Sequence, residues 1–362
     1  MKNNITTLLL FFLLSAGAIS AQKVKQKAPV KKPGSDTVKT IIVSTDQSAK
    51  MSYNKGVTDF SKGDYTAALG SFNAAINSNP KLEQAYLGRA NTHFRQKDYP
   101  NALEDYKMAL KLDSNDEKAW YGLGQTQTVL GNKEQAIDAF THFTRKNPNN
   151  GDAWYCLGEL LARTNNYKDA LTDFSLAISS KPNFTEAYND RGICNYELGN
   201  YKAAANDYRQ ALTLTKTAEA YNNLGNAEYK AGDNEAAIGA FAEAIVRQPK
   251  FPAAYNNRGT VYLAQKNYPE ALNDFNKTIE QDSAYSYAYC NRAITEYRMN
   301  DLDKAKADCD KAIQLNPQYG DAYLNRGIIE ELMRKENDAC SDWQKAASYG
   351  VTVANDYTKD CK

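Results

Sequence analysis

The side chains of this chain that could perform catalysis or bind a metal are its histidines, cysteines and acids, and their spacing favours neither role. The 362 residues contain six Cys and only two His, His93 and His142, which lie far apart and outside any metal-ligand spacing. No HExxH, P-loop or GxSxG motif occurs. Neighbouring acids such as Glu330 and Glu331 are typical of a solvated helix face. We therefore expect no catalytic residue, no metal and no cofactor, and a protein that is not an enzyme.

A regular spacing links arginine to aspartate: at five places along the chain an Asp follows an Arg by sixteen residues. At four equivalent places the Arg is replaced, and the Asp is replaced as well in three of them. The replaced pairs are Lys55 and Ser71, Leu123 and Ala139, Leu157 and Asp173, and Leu224 and Ala240, so only Asp173 departs from the rule. A partly buried Arg without a partner is costly, and we therefore expect five structural ion pairs. The alternative, an anion-binding groove of Arg side chains, is weakened because the Asp residues would neutralise it. In each pair Asp follows Arg by sixteen residues: Arg89 and Asp105, Arg191 and Asp207, Arg258 and Asp274, Arg292 and Asp308, Arg326 and Asp342.

Asparagine forms a second series, which we call the Asn row: Asn223, Asn257, Asn291 and Asn325, with Asp190 at the same phase before them. Amide side chains both donate and accept hydrogen bonds, which suits binding to the backbone of an extended peptide. Tyr196, Tyr229 and Tyr297 recur in register beside the row and could supply apolar contact. Two alternatives remain open: the Asn residues are ordinary solvent-facing choices, and the aromatic residues belong to the core.

These series imply a repeated element that positions them. A unit such as Ala218–Phe251 has apolar residues three or four apart on each side of a Gly232-Asp233 break, which indicates two short helices. Neither helix can bury its apolar stripe alone, so copies must stack. An alanine series recurs every 34 residues, with one step of 33: Ala68, Ala102, Ala136, Ala170, Ala204, Ala237, Ala271, Ala305, Ala339. A glycine or alanine precedes each of these by twelve residues. A bulky residue, usually Phe or Tyr, follows all but one of them by four residues, and Cys309 is the exception.

The pattern closely resembles the tetratricopeptide repeat (TPR) family. In one unit the signature is matched by Trp154, Leu157, Gly158, Ala170, Phe174, Ala177 and Pro182. The resemblance implies an all-α protein: an α-solenoid of nine TPR helix hairpins plus a C-terminal capping helix, wound as a right-handed superhelix with the first helices on its concave face. It divides the chain into repeats at 49–82, 83–116, 117–150, 151–184, 185–217, 218–251, 252–285, 286–319 and 320–353, with the capping helix at 354–362.

Two known uses of this family bear on the Asn row. The row is similar to the asparagine ladder in the repeat domain of protein O-linked N-acetylglucosamine transferases, which supports a peptide-binding concave face. The carboxylate clamp that binds chaperone tails uses Lys, Asn and Arg. The matching positions here include no Lys or Arg and hold Asn256, Thr260, Tyr287, Asn291 and Asn325. We therefore do not expect a chaperone-tail adaptor.

The cysteines fit no zinc module. Tyr357 and Cys361 continue the aromatic and small-residue series as a tenth first helix would, which places Cys361 over the second helix that carries Cys340. We expect a disulfide between Cys340 and Cys361, and closing a loop of about 20 residues stabilises the end of the chain by roughly 3 kcal/mol. The alternative is two reduced, buried thiols. Cys309 replaces a core aromatic residue and is expected to be inert.

The N-terminal region indicates export. Residues 1–21 combine a Lys, an apolar run and small residues, as in a secretory signal peptide cleaved before Gln22; an uncleaved anchor is the alternative. Residues 22–48 form an expected basic disordered linker, because Gln22–Lys50 contains seven Lys and two Asp. The linker either contacts an anionic surface weakly or is a solvated spacer. Beyond it we expect no transmembrane span. The formal net charge of +1 gives no reason to expect a nucleic-acid partner.

We therefore expect an exported protein of the periplasm or the extracellular space. Its function would be that of a non-catalytic interaction scaffold in the bacterial cell envelope, which binds an extended segment of a protein partner on the concave face. An alternative is an assembly or docking factor of an envelope or secretion complex that uses its convex face. A less favoured alternative is a non-catalytic subunit of a glycosyltransferase-like enzyme.

Overall fold

The structure, a computed structural model, describes residues 36–361. The expected signal peptide at 1–21 and the first part of the expected linker, 22–35, lie outside the described residues. Within residues 36–361 all regular elements are helical and follow one another as hairpins. This confirms the expected all-α solenoid. No helix in this range has both the length and the apolar character that crossing a bilayer requires.

Nine hairpins account for helices α1 to α18, and a short helix ends the chain. The first helices are α1 Asp36–Ser61, α3 Glu83–Arg95, α5 Glu117–Val129, α7 Gly151–Ala162, α9 Thr185–Glu197, α11 Ala218–Ala231, α13 Pro252–Ala264, α15 Ser286–Arg298 and α17 Gly320–Leu332. The second helices are α2 Tyr65–Ser78, α4 Tyr99–Leu112, α6 Lys133–Lys146, α8 Tyr167–Ser180, α10 Tyr201–Leu214, α12 Asn234–Arg247, α14 Tyr268–Gln281, α16 Leu302–Leu315 and α18 Glu336–Ser348. The last helix, α19, is Ala354–Tyr357, and a 3₁₀ turn follows it at Thr358–Asp360.

The helix boundaries follow the repeat period. The odd-numbered helices α3 to α17 each begin at the first residue of an expected repeat, from the second repeat to the ninth. The single step of 33 residues falls in the connection between α10 and α11, which has three residues, 215–217. From α2 to α17, every other connection between a second helix and the next first helix has four residues. The missing residue therefore shortens a loop and leaves the hairpins intact.

The first helix differs from the expectation. We expected residues 22–48 to be disordered, but α1 begins at Asp36, so this expectation is wrong for residues 36–48. Extending a helix that is already nucleated costs little, because each added residue gains a hydrogen bond. The extension also has a tertiary contact, since Asn79 Nδ2 at the end of α2 donates to Asp46 Oδ1 at 3.1 Å.

The core repeats the same packing in every hairpin. All nine alanines of the alanine series are fully buried, and Phe72, Phe174 and Phe275 beside them are at most 1% exposed. The small series on the first helices is needed because the ring packs against the facing backbone. A Cβ added to Gly56, for instance, would lie 2.7 Å from Cδ1 of Phe72 in the same hairpin. The small residue lets the ring on the second helix reach the backbone of the first helix, and the ring fills the space that the small residue leaves.

Candidate functional site: the inner face of the solenoid

The inner face is formed by the first helices. At most repeat junctions successive first helices approach one another, as α1 approaches α3 and α15 approaches α17. No comparable approach joins successive second helices in the described chain. A stack of hairpins whose first helices lie closer together curves toward those helices. The first helices therefore line the concave side, where the expected binding residues lie.

The five expected Arg–Asp pairs are all present. In each, the guanidinium donates two hydrogen bonds to the carboxylate at 2.6–3.1 Å, from the first helix to the second helix of the same repeat. Each Asp is 1–8% exposed. The guanidinium carbon also lies 5.5–5.7 Å from the ring centre of the Tyr three residues earlier. The Arg charges are thus held in the packing and are not available to an anion on the inner face.

Four of these arginines also reach the preceding repeat. Their Nη1 atoms lie 2.6–3.1 Å from a polar side chain sixteen residues earlier, on the preceding second helix. Each such Arg therefore connects three helices and sets the spacing of two repeats. The contacts are Arg89 to Asn73, Arg191 to Ser175, Arg292 to Asn276 and Arg326 to Asp310.

Asp173 is the one acid of this series without an Arg. It is 8% exposed, and Leu157 occupies the position where the Arg would be. Burial, with a smaller contribution from the nearby Asp169, raises the pKa of Asp173 to about 7. The irregularity noted in the sequence is therefore a buried carboxyl group with a strongly shifted protonation equilibrium.

The Asn row is hydrogen-bonded along the solenoid. In the last three repeats each row member donates Nδ2 to the side chain that lies one residue before the row in the preceding repeat. The row residues are half-buried, and no group among the described residues donates a hydrogen bond to the Oδ1 atoms of these three. The bonds are Asn257 to Asn222 at 3.0 Å, Asn291 to Asn256 at 3.1 Å, and Asn325 to the Cys290 thiol at 3.3 Å.

This bonding pattern changes the role of the row. The spacing predicted free donors and acceptors at the row. It did not predict Asn222 and Asn256 as hydrogen-bond acceptors of the row, although the Tyr-Asn-Asn doublets contain them. One donor hydrogen of each bonded amide is already used, so the carbonyl oxygens are the groups best placed to bind a partner. Asn223 does not follow the pattern. Oδ1 of Asn189, the corresponding acceptor, is buried without a partner.

The fifth repeat places an acid where the row begins. Tyr155 donates its hydroxyl to Oδ2 of Asp190 at 2.7 Å, across one repeat junction. Burial raises the pKa of Asp190 to about 7, although the Tyr155 hydrogen bond opposes the shift. Burial also raises the pKa of Glu159 nearby. The middle of the inner face therefore carries two acidic side chains whose pKa values are raised by burial.

The three expected contact tyrosines are half-buried rather than free. The ring of Tyr196 meets Tyr201 edge-on at 5.3 Å, and Tyr229 packs against the core that contains Phe241. Tyr297 packs on a buried cluster and has the guanidinium carbon of Arg298 at 5.2 Å from its ring centre. Each ring thus packs on the core on one side and leaves a partial surface on the other.

Cysteine and histidine do not form a reactive site among the described residues. Cys340 and Cys361 form the expected disulfide, with an S–S distance of 2.05 Å. Burial raises the pKa of Cys194 to about 12, which leaves its thiol protonated. His142 stacks on Trp120 at 4.3 Å, whereas His93 has Nδ1 3.1 Å from a carboxylate oxygen of Asp98. The two imidazoles lie in separate repeats.

Comparison with known sequences identifies the repeats. Models of the tetratricopeptide repeat match residues 83–116, 121–183, 185–217, 222–286 and 286–319, which together form more than half of the chain. No curated protein sequence is significantly similar to it.

Solved structures show the same fold at low identity. A chain of the APC/C hetero-tetramer Cut9–Hcn1 is 16% identical with a TM-score of 0.52; the match covers 81% of this chain and 58% of that one, so this chain spans less than two thirds of its relative. YrrB, described as a TPR protein with an unusual peptide-binding site, is 23% identical with a TM-score of 0.44, covering 52% and 97%. A tetratricopeptide repeat protein from Parabacteroides merdae is 22% identical with a TM-score of 0.46, covering 69% and 99%. The sequence models and the nine stacked hairpins agree: the chain belongs to the tetratricopeptide repeat family.

Proposed function

We propose that this protein is a non-catalytic interaction scaffold that binds an extended segment of a partner protein along its inner face. The observation that supports this most is the orientation of the Asn row. Asn257, Asn291 and Asn325 are each fixed by a bond to the preceding repeat, and their carbonyl oxygens are left as acceptors in series. Fixed acceptors bind backbone N–H groups without a cost in side-chain ordering.

The remaining site residues would support the same segment. Asp190 and Asn223 continue the row toward the N-terminus, and Tyr196, Tyr229 and Tyr297 present part of each ring next to it. Contact with backbone groups gives affinity, and contact with partly exposed rings gives selectivity for apolar side chains. No group in this set requires a metal or a cofactor to bind a peptide.

We also propose that the protein acts in the bacterial cell envelope after export, with cleavage before Gln22. The disulfide between Cys340 and Cys361 supports this, because such bonds persist in oxidising compartments. Cell fractionation followed by intact-mass measurement tests the proposal. A chain of full length, or one found with the reduced proteins of the cytoplasm, would contradict it.

The binding proposal is tested by capture from envelope extract with the mature chain from Gln22. The test variant changes Asn223, Asn257, Asn291 and Asn325 to Ala. The control variant changes Asn77, Asn206 and Asn273 to Ala; all three are exposed on second helices. We expect the control to retain a partner that the test variant loses, while both keep their helical circular dichroism.

The other result would favour a different surface. If both variants capture the same partner equally, the Asn row does not bind it. The assembly or docking alternative, which uses the outer face of the second helices, would then be the better explanation. Cross-linking of the captured partner identifies which helices it contacts and so decides between the two.

A further inference from the structure

The last two first helices and the C-terminal segment enclose a small pocket on the inner face. Its volume is about 180 Å³. The lining comes from three helices, so the pocket exists only where the capping segment follows the final repeat. The residues that define it are Ile294, Tyr297 and Arg298 of α15, Asn325 and Ile328 of α17, and Tyr357 of α19.

The apolar character of this pocket is local. Ile294 and Ile328 occupy the same position in successive repeats and are both half-buried. Five of the other seven repeats hold a polar residue there, so a comparable apolar surface does not continue along the inner face. The polar residues at this position are Asn91, Gln125, Glu159, Asn226 and Thr260.

The pocket wall is held in place by the core and by a covalent bond. The ring of Tyr357 lies 5.0 Å from that of Trp343, a buried residue of α18. The disulfide between Cys340 and Cys361 attaches the segment that carries Tyr357 to the same helix. The pocket is therefore a feature of the folded chain, and a ligand need not order it first.

Arg298 gives the rim an uncompensated positive charge. Its side chain is exposed and lies over the ring of Tyr297. The five paired arginines each hold a buried carboxylate, whereas among residues 45–359 no carboxylate lies within salt-bridge distance of Arg298. A cation supported by an aromatic ring at the edge of an apolar pocket favours an acidic group beside an apolar one.

We propose that this pocket anchors the partner segment by one aliphatic side chain, with an adjacent acidic side chain bound by Arg298. The inference rests on the proposed function, because Asn325 belongs both to the Asn row and to the pocket lining. A partner segment that binds along the Asn row therefore reaches the pocket at Asn325. The occupant is therefore an extended stretch of another protein that carries Leu, Ile or Met next to Asp or Glu.

The test uses the oxidised mature chain and a phage library of random ten-residue peptides. We expect selection of peptides with an aliphatic residue beside an acid, and we measure their affinities by fluorescence polarisation. Ile328→Asn copies Asn226 and is expected to weaken binding about tenfold or more. Arg298→Glu is expected to weaken it by a similar factor and, in a new selection, to favour basic residues in place of acids. Val57→Asn, at the same position of the first repeat, is the control and is expected to have no effect.

The remaining outcomes overturn the inference in distinguishable ways. Peptides that lose affinity when the Asn row is changed, but not with Ile328→Asn, would leave the proposed function standing and exclude the pocket. Failure to select any peptide would contradict both. A wild-type chain that sediments as a dimer, when the Ile328→Asn chain is a monomer, would show that a second copy occupies the pocket. If Ile328→Asn does not fold, Ile294→Thr, which copies Thr260, takes its place.

Discussion

The Arg–Asp pair and a Leu–Ala pair are two solutions to the same packing position. Three repeats with Arg258, Arg292 and Arg326 carry the charged form in immediate succession, whereas Leu123 and Leu224 face Ala139 and Ala240. Both forms leave no uncompensated charge in the core. A buried ion pair is not intrinsically more stabilising than an apolar pair of similar volume, but a half-broken pair is costly.

If the Arg–Asp pair and the Leu–Ala pair are interchangeable, the stability of Arg258 variants can be predicted. Arg258→Leu leaves the Asp274 carboxylate, 1% exposed, without its partner, and we expect a loss of about 3 to 5 kcal/mol in local stability. Adding Asp274→Ala recreates the Leu224 and Ala240 pair and is expected to recover most of that loss. Amide hydrogen exchange of α13 and α14 measures both changes. A double variant as unstable as the single one would show that the Leu–Ala pair cannot replace the Arg–Asp pair in this repeat.

Asp173 allows a pH-dependent prediction. Its pKa is about 7 in the folded chain and about 4 in the unfolded chain, so folding takes up a proton between these values. The stabilising contribution of the protonated form is complete below about pH 4 and is lost as the pH rises through 7. Asp173→Ala copies Ala139, and we expect it to raise stability at pH 8 by about 1 to 2 kcal/mol and by clearly less at pH 5.

The measurement compares thermal melting at the two pH values. Asp303→Ala, at an exposed position in α16, is the control, because it removes an acid without removing a buried one. Its effect is expected to be the same at both pH values. An Asp173→Ala effect that does not depend on pH would show that the carboxyl group titrates normally.

At the scale of the helices, each hairpin turns on a residue with left-handed backbone. The position two residues before each second helix has positive φ in all nine repeats. Glycine occupies four of these positions and other residues occupy five, although this conformation costs a residue with a side chain about 1 kcal/mol. The five are Lys97, Asn165, Lys266, Asn300 and Arg334, with φ between 61° and 66°.

Lys266→Gly should therefore stabilise the protein. Lys266 has a φ of 61° and is exposed, so the change relieves backbone strain without removing a packed side chain. We expect a gain of about 1 kcal/mol, seen as a melting temperature about 2 °C higher. Lys266→Ala removes the same side chain but keeps the Cβ, and no gain is expected. Equal gains from both variants would assign the effect to the lost charge.

The features that could be predicted from the sequence are those that recur, because a pattern found in several repeats is supported by each of them. The hairpins, the Arg–Asp pairs and the small and bulky series all follow from one spacing observed several times. The bond from Asn257 to Asn222 was not predictable in this way, since it depends on how two repeats rotate against each other. The start of α1 at Asp36 and the pocket beside Tyr357 were missed because each occurs once, at an end where no second copy exists.

At the scale of the whole molecule, the helix contacts within residues 36–361 join helices of the same repeat or of neighbouring repeats. Loss of the disulfide should therefore act locally. With Cys340 and Cys361 both changed to Ser, we expect faster amide exchange in α19 and the 3₁₀ turn, from a loss of about 3 kcal/mol. Exchange in α1 to α8 should not change. Cys156→Ser, in the fourth repeat, is the control. Faster exchange throughout the solenoid would show that the C-terminal segment stabilises all repeats together.

The placement of the ion pairs also bears on how such a chain can grow. Each guanidinium and its carboxylate cancel within a single repeat, and a repeat with the Leu–Ala pair has no charge to cancel. A gene for this chain can therefore gain or lose one 34-residue unit by unequal recombination without leaving an unpaired Arg or Asp at this packing position. The unit with Leu157 and Asp173 is the exception at this position. Every added copy of it would bring another buried Asp without an Arg partner, and its duplication would therefore cost the protein stability.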